Sequence, residues 1–455
     1  MAKQIRYVTG LALGIVLGGF SAAAAAAVTP EELARLGADL TPLGAERAGH
    51  ADGTIPAWEG GITKPVAGYT PGDHHPDPYA GDPVLYTVTR ENMDRYADRL
   101  TEGHKALLKS YDSFSMPVFP TRRSASVPQR IYDATLRDAP NARLEEGDNG
   151  VAGAVQGIPF PLPKSGVEVV WNHMLRYRGD SVVRNFSIAP VTRGGEFSLV
   201  QFREDAYFRY HLPEMTEQAL DNILFMFTQK ILSPPRLAGQ VLLVHETLNQ
   251  NVENRKAWVY NPGQRRVRRA PNVAFDNPKN GADGLTTSDT LDMYNGSPER
   301  YDWKLVGKRE MLVPYNSYAL HSDQLKYSDI LTPLHLNPAH LRYELHRVWV
   351  VEGTLKEGTR HIYKRRTFYV DEDTWQIMSV DQYDNRDELW RVSEGHGINY
   401  YEVPTYWTTV EVHYDLQLGR YVAIGVNNED AMYDFSVTYS PADFSTGELR
   451  REGRR

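Results

Sequence analysis

Between Arg347 and Val392 the chain divides into four strand-like stretches, residues 347–354, 361–370, 376–383 and 388–392. Two of the connections are Asp371-Glu372-Asp373-Thr374 and Asp384-Asn385-Arg386-Asp387, runs of turn-forming polar residues. Connections this short cannot hold a crossover helix, so neighbouring strands must run antiparallel. This excludes a parallel sheet with crossover helices for this part of the chain. The same rhythm starts at Ser181. Residues 197–203 and 207–212 alternate, and 241–244, 256–260 and 265–269 follow, with Asn261-Pro262-Gly263 as a turn. A further ribbon is predicted over 406–426.

One segment breaks the rhythm. Across residues 216–232, Leu220, Ile223, Leu224 and Phe227 follow the i, i+3, i+4, i+7 spacing of an amphipathic helix, stopped by Ser233-Pro234-Pro235. A single apolar helix among strands can plug the hollow of a curved sheet. The predicted fold is therefore mainly β with some α: a large curved antiparallel sheet with helices against its concave face. A hollow between sheet and helix is the usual kind of small-molecule site. Trp171, Trp258, Trp349 and Trp390 lie on or beside predicted strands and are candidates to line it, with Leu220, Ile223, Leu224 and Phe227.

The N-terminus is expected to be removed. Lys3 and Arg6 precede an apolar stretch over 8–20, and 22–27 are small residues, the layout of a secretory signal peptide. The apolar stretch is short for a spanning helix. No later stretch is apolar and long enough to span a membrane. The chain has no cysteine, which excludes disulfides, thiolate metal sites and a lipid-anchored N-terminal Cys. An exported chain of this kind fits the bacterial periplasm. The remainder, 28–455, reads as one large domain with a long N-terminal wrapping segment over about 28–165. Within it, a short helix opens at Thr29-Pro30-Glu31-Glu32, 49–83 is irregular and a candidate lid, and a helix is expected over 90–108.

Little in the sequence points to catalysis. There is no G-x-S-x-G in a convincing context, no phosphate-binding loop and no H-E-x-x-H. No catalytic residue, metal ligand or cofactor is assigned. His74 and His75 beside Asp73 and Asp77 suit a metal by type, but a solvated loop accounts for them better. His335, His340 and His346 match no ligand spacing. Asp283, Asp289 and Asp292 lack the calcium-loop pattern and read as a turn-rich loop. Asp371 and Asp373, like Asp381 and Asp384, read as turn-stabilising carboxylates. A formal charge of -8 argues against a nucleic-acid partner. The densest basic run is Arg265, Arg266, Arg268 and Arg269. It fits an anionic partner surface and a charge-guarded edge strand equally well.

Several longer segments carry a resemblance. They include Asp52-Gly53-Thr54-Ile55-Pro56-Ala57-Trp58-Glu59-Gly60-Gly61, Trp171-Asn172-His173 and Pro235-Arg236-Leu237-Ala238-Gly239. Others are the run from Trp258 to Val267, Tyr301-Asp302-Trp303, Gly307-Lys308-Arg309-Glu310, and Tyr369-Val370-Asp371-Glu372-Asp373-Thr374-Trp375 with Leu389-Trp390-Arg391. On these, the chain resembles the exported bacterial proteins of domain of unknown function 1329, a family similar to the LolA/LolB outer-membrane lipoprotein carriers. The resemblance implies a half-open β-barrel with helices against the concave face. It also implies a periplasmic carrier or accessory protein for hydrophobic molecules, with an outer-membrane protein and a proton-driven exporter as partners. One departure is the turn after Tyr383-Asp384, where a Gly is expected and Asp387-Glu388 stand instead.

The leading expectation is a soluble periplasmic protein that binds a lipid, a lipoprotein acyl chain or an aromatic compound in the hollow of the sheet. The alternatives are a hydrolase acting on such a compound and a structural protein docking envelope machinery.

Overall fold

The computed structural model describes residues 28–270 and 275–453. The signal peptide expected over 1–27 lies outside the described residues. Fifteen strands form one sheet. Its N-terminal members are β1 Tyr86–Val88, β2 Met116–Val118, β3 Ser181–Val191, β4 Val200–Tyr207, β5 Ile223–Ser233, β6 Val241–Thr247, β7 Lys256–Asn261 and β8 Arg266–Arg269. The others are β9 Tyr301–Pro314, β10 Tyr343–Leu355, β11 Arg365–Asp371, β12 Ile377–Tyr383, β13 Leu389–Tyr400, β14 Thr405–Asp415 and β15 Arg420–Val426.

The meander expected from the short turns is present: β10 to β15 pair in chain order, each antiparallel to the next. The last strand, β15, then pairs with β3, and β3 to β8 continue the sheet in order. β9 flanks β10 on its other side. Within this sheet, one contact among the described residues is parallel, between Tyr343 and Val118. β8 ends one side of the sheet, β9 and the short β1–β2 ladder end the other, and no pairing joins the two sides, so the sheet is half-open and not a closed barrel. The turn after Tyr383 tolerates the missing glycine. Asp387 takes the left-handed conformation at φ 64°, and the Asp384 carboxylate accepts from the backbone N–H groups of Arg386 and Glu388.

The expected helix over 216–232 is not there. A one-turn helix spans Glu217–Leu220, Asp221 and Asn222 both take left-handed φ, and the chain then enters β5. The reason is the unbroken apolar run from Ile223 to Phe227, buried at every position. A strand covered on both faces needs no alternation, so its residues fit helical spacing by coincidence. The helix expected over 90–108 is also divided. A 3-10 helix covers Met93–Arg99, Leu100 is extended, and Thr101 caps a helix over Glu102–Ser110. The N-terminal helix is limited to Pro30–Leu33.

Helices cover both faces. On one, Gly166–Met174 is buried at all nine positions and packs on β9 and β10. Ser165 and Glu168 form a reciprocal capping box that starts it. On the other, Leu107 and Leu108 of Glu102–Ser110 join a core with Val392, Val410 and Val412. The first face is concave. Trp407 of β14 and Phe208, the residue just after β4, stand 6.0 Å apart at their ring centroids although β15 and β3 lie between β14 and β4. A flat sheet with about 4.8 Å between strands would hold them far wider.

Candidate functional site

Two adjacent spaces lie on the concave face, one over β5–β7 and one between β3–β5 and β14–β15. The outer one, about 400 Å³, is floored by a grid of facing side chains. Phe227 pairs with Val244, and Gln229 with Leu242, which in turn pairs with Val259. Residues i and i+2 of a strand share a face, so the two rows make one apolar patch. Ala270, Pro278 and Leu291 close its sides, with Arg255, Arg269 and Lys279 at the polar margins. A volume in this range suits a small ligand.

The inner space, about 40 Å³, is a charged chamber walled by rings. Phe227, Gln229, Lys279 and Leu291 border both spaces and form the partition. Glu204 is held by Arg184 at 2.5 Å and by Gln229 at 2.7 Å. Asp292 is held by Arg176 at 2.5 Å, Arg178 at 2.6 Å and the Trp407 indole N–H at 3.0 Å. Burial raises the Asp292 carboxyl, but the two guanidiniums outweigh it and keep the group ionised far below the usual range. Burial lowers Arg178 to about 10. Arg184 lies 4.3 Å over the Trp407 ring.

Two groups of the chamber stay without a strong partner. Glu411 accepts from the Thr408 hydroxyl at 3.2 Å and the Met293 N–H at 3.4 Å, with the His413 Nε2 3.9 Å away, and burial pushes it up to about 7, against the pull of Lys279. Among the described residues, the Lys279 ammonium makes no hydrogen bond and no ion pair within 4 Å. Burial lowers its pKa, partly offset by Glu411 and Glu204.

The residues singled out in the sequence are dispersed. Phe227 lines both spaces. Leu220 and Leu224 are buried in the concave-face core. Ile223 sits on the opposite face with Tyr207 and Phe444. None of the four tryptophans lines either space. Trp171 is core, and its N–H donates to the Asp148 carbonyl. Trp258 packs on His245 at 5.0 Å. Trp349 stacks on Trp375, and Trp390 donates to Asp415 at 3.0 Å. Of the basic run, Arg269 reaches the outer margin, while Arg265, Arg266 and Arg268 are exposed around the edge strand.

Other readings change more. The 49–83 segment borders neither space and is tied to the sheet elsewhere. His75 is buried, not solvated, because it bonds Glu402 at 2.7 Å and His321 at 3.2 Å. Asp289 and Asp292 are not simple loop carboxylates: both are buried, and Asp289 pairs with Arg366 at 2.8 Å and His361 at 3.1 Å. Asp371 and Asp373 are buried too. With His346 they place ligand-type atoms within 4.8 Å of one another. The set reads as an ion-pair network, because Arg123 occupies both oxygens of Asp373 at 2.6 and 2.8 Å and Glu344 engages His346 at 3.1 Å. Burial, and then the Asp373 charge, push Asp371 up to about 7.

Residues 87–450 match the family described as protein of unknown function (DUF1329). The chain belongs to this family. An uncharacterized protein of Pseudomonas aeruginosa is 50% identical over 432 residues, 94% of this chain and 95% of that protein. A putative outer membrane lipoprotein-sorting protein domain from Vibrio parahaemolyticus aligns with 63% of this DUF1329 chain and 98% of its own, at 14% identity and a TM-score of 0.43. A DUF1329 family protein from Desulfovibrio piger aligns with 62% and 97%, at 15% identity and 0.43. A LolA superfamily protein from Nitrosomonas europaea aligns with 63% and 100%, at 12% identity and 0.39.

Proposed function

We propose that this DUF1329 protein binds an apolar or amphipathic small molecule on the concave face of its sheet and carries it in the periplasm without transforming it. The observation that supports this reading is the 400 Å³ space floored by Phe227, Val244, Leu242 and Val259. Folding ordinarily fills such a surface with the chain's own side chains, because each buried Å² of apolar area is worth about 25 cal/mol. Here the patch is left for another molecule. The Arg and Lys side chains stand at its margins, where they orient a polar end without interrupting the apolar floor.

An outer-membrane protein and a proton-driven exporter are the proposed partners, and the exposed Arg265, Arg266 and Arg268 around edge strand β8 are the proposed contact. The test is mass spectrometry of an organic extract from protein purified out of its own periplasm. A stoichiometric lipid or aromatic compound, absent from a Leu242→Trp variant, is expected. Equal extracts from both proteins would contradict the reading.

A further inference from the structure

The charge on the partition between the two spaces narrows the ligand, on the reading that the outer space holds one. Four of the chamber's charged groups are matched. Arg184 faces Glu204, and Arg178, with Arg176 behind it, faces Asp292. What remains is Lys279 and Glu411. They influence each other, but no carboxylate oxygen lies within 4 Å of the Lys279 ammonium among the described residues. Glu411 holds its proton up to near neutral pH, so it is an incomplete counter-charge. Across the partition, Lys279 faces an apolar patch with no acidic residue on its lining among the described residues.

The loop that carries Lys279 is braced. Pro278 bridges Thr287, the Lys279 N–H donates to the Thr286 carbonyl at 3.2 Å, and the Ser288 N–H donates to the Asn277 carbonyl at 2.8 Å. Asp289, just beyond, is anchored by Arg366 and His361. The backbone that carries Lys279 is therefore held by the fold where the residue borders both spaces. At the outer margin, Arg269 is exposed and makes no ion pair among the described residues, whereas Arg255 is engaged with Glu246 at 2.7 Å.

We propose that the ligand is an amphiphile with one anionic head, which pairs with Lys279 at the partition while its apolar body lies on Phe227, Leu242, Val244 and Val259. An anion there meets a half-buried cation without a direct partner among the described residues, and a charge-assisted hydrogen bond to it is stronger than a neutral one. A cationic head would bring a second positive charge to Lys279. A neutral head would gain the apolar contact alone.

The probes are decanoate, decanol and decyltrimethylammonium, titrated into the full mature protein by calorimetry. Wild type is expected to bind decanoate about tenfold or more tightly than decanol, and the cation most weakly. In Lys279→Met, decanoate is expected to fall to the level of decanol while decanol stays unchanged. Lys279→Arg is expected to restore the preference for decanoate. Equal wild-type affinities for decanoate and decanol would overturn the anionic-head inference and leave the cavity reading standing. An unchanged decanoate preference in Lys279→Met would do the same. Binding of none of the three would overturn both. The wild-type comparison decides the matter even if the Met variant does not fold.

Discussion

Phe227 and Val244 face each other directly across β5 and β6, and Val244 in turn faces Ala257 on β7. Phe227 and Val244 are part of the floor of the outer space, and of the two only Phe227 also borders the charged chamber. Truncating Phe227 therefore differs from an ordinary core truncation. A fully packed Phe→Ala change costs about 3–5 kcal/mol. Here part of the ring already faces open space, so Phe227→Ala is expected to cost about 1–3 kcal/mol by urea denaturation, with altered binding of an apolar probe. A loss above that range with unchanged probe binding would return Phe227 to the core.

Asp292 is the buried anion between Arg176 and Arg178. Asp292→Asn leaves two buried guanidiniums without their counter-charge, and breaking such a set costs about 3–5 kcal/mol. Denaturant unfolding should show a loss of that order. A change well under 1 kcal/mol would mean that solvent reaches the two arginines.

Asp371 is expected to make stability depend on pH with a particular sign. Its folded pKa is raised to about 7, so the fold keeps the proton that the unfolded chain releases above about pH 4. The native state binds more protons in that window. Its stability therefore falls as pH rises from about 4 to about 7 and levels off above, by at most about 1.4 kcal/mol per pH unit. Asp381, raised to about 6, and Glu411, raised to about 7, add slopes of the same sign. The informative quantity is the difference between Asp371→Asn and wild type. The variant should be flatter across the window, and parallel profiles would contradict the assignment.

His75 ties the 49–83 segment down through Glu402 and His321, with Tyr69 stacked on it at 4.9 Å. His75→Ala should speed proteolytic cleavage within 49–83 by about tenfold, while the far-UV circular dichroism of the sheet stays the same. An unchanged cleavage rate would show that other contacts, such as those of Asp82 with Arg122 and Arg342, hold the segment alone.

The sheet was legible wherever one face of a strand meets water or the turns are short and polar, as between β11 and β12 at Asp371 to Gln376. It was not legible where both faces are covered and the apolar run also fits helical spacing, whereas β12 and β14, equally buried, were marked by their turns. Ile223 to Phe227 is apolar throughout, and the left-handed Asp221-Asn222 pair just before it was the available sign of a break. The buried helix over Gly166–Met174, which carries Trp171, was not predicted, although Ser165 and Glu168 have the spacing of a capping box ahead of an apolar run. β9 was signalled more weakly, by the alternation of Tyr301, Trp303 and Leu305 with Asp302 and Lys304. The site is a different matter. Arg184, Lys279 and Glu411 meet only because β3, β14 and the loop after β8 converge, and no local pattern links residues so far apart in sequence.

The central claim is that the patch between Phe227 and Val259 is a ligand site. A fluorescent apolar probe titrated into wild type and into Leu242→Trp, a substitution that fills the patch from its floor, tests it most directly. The account predicts saturable one-to-one binding to wild type and a loss of about tenfold or more in the variant, with the fold intact by circular dichroism. Equal binding by the two proteins, or none by wild type freed of bound material, would contradict it.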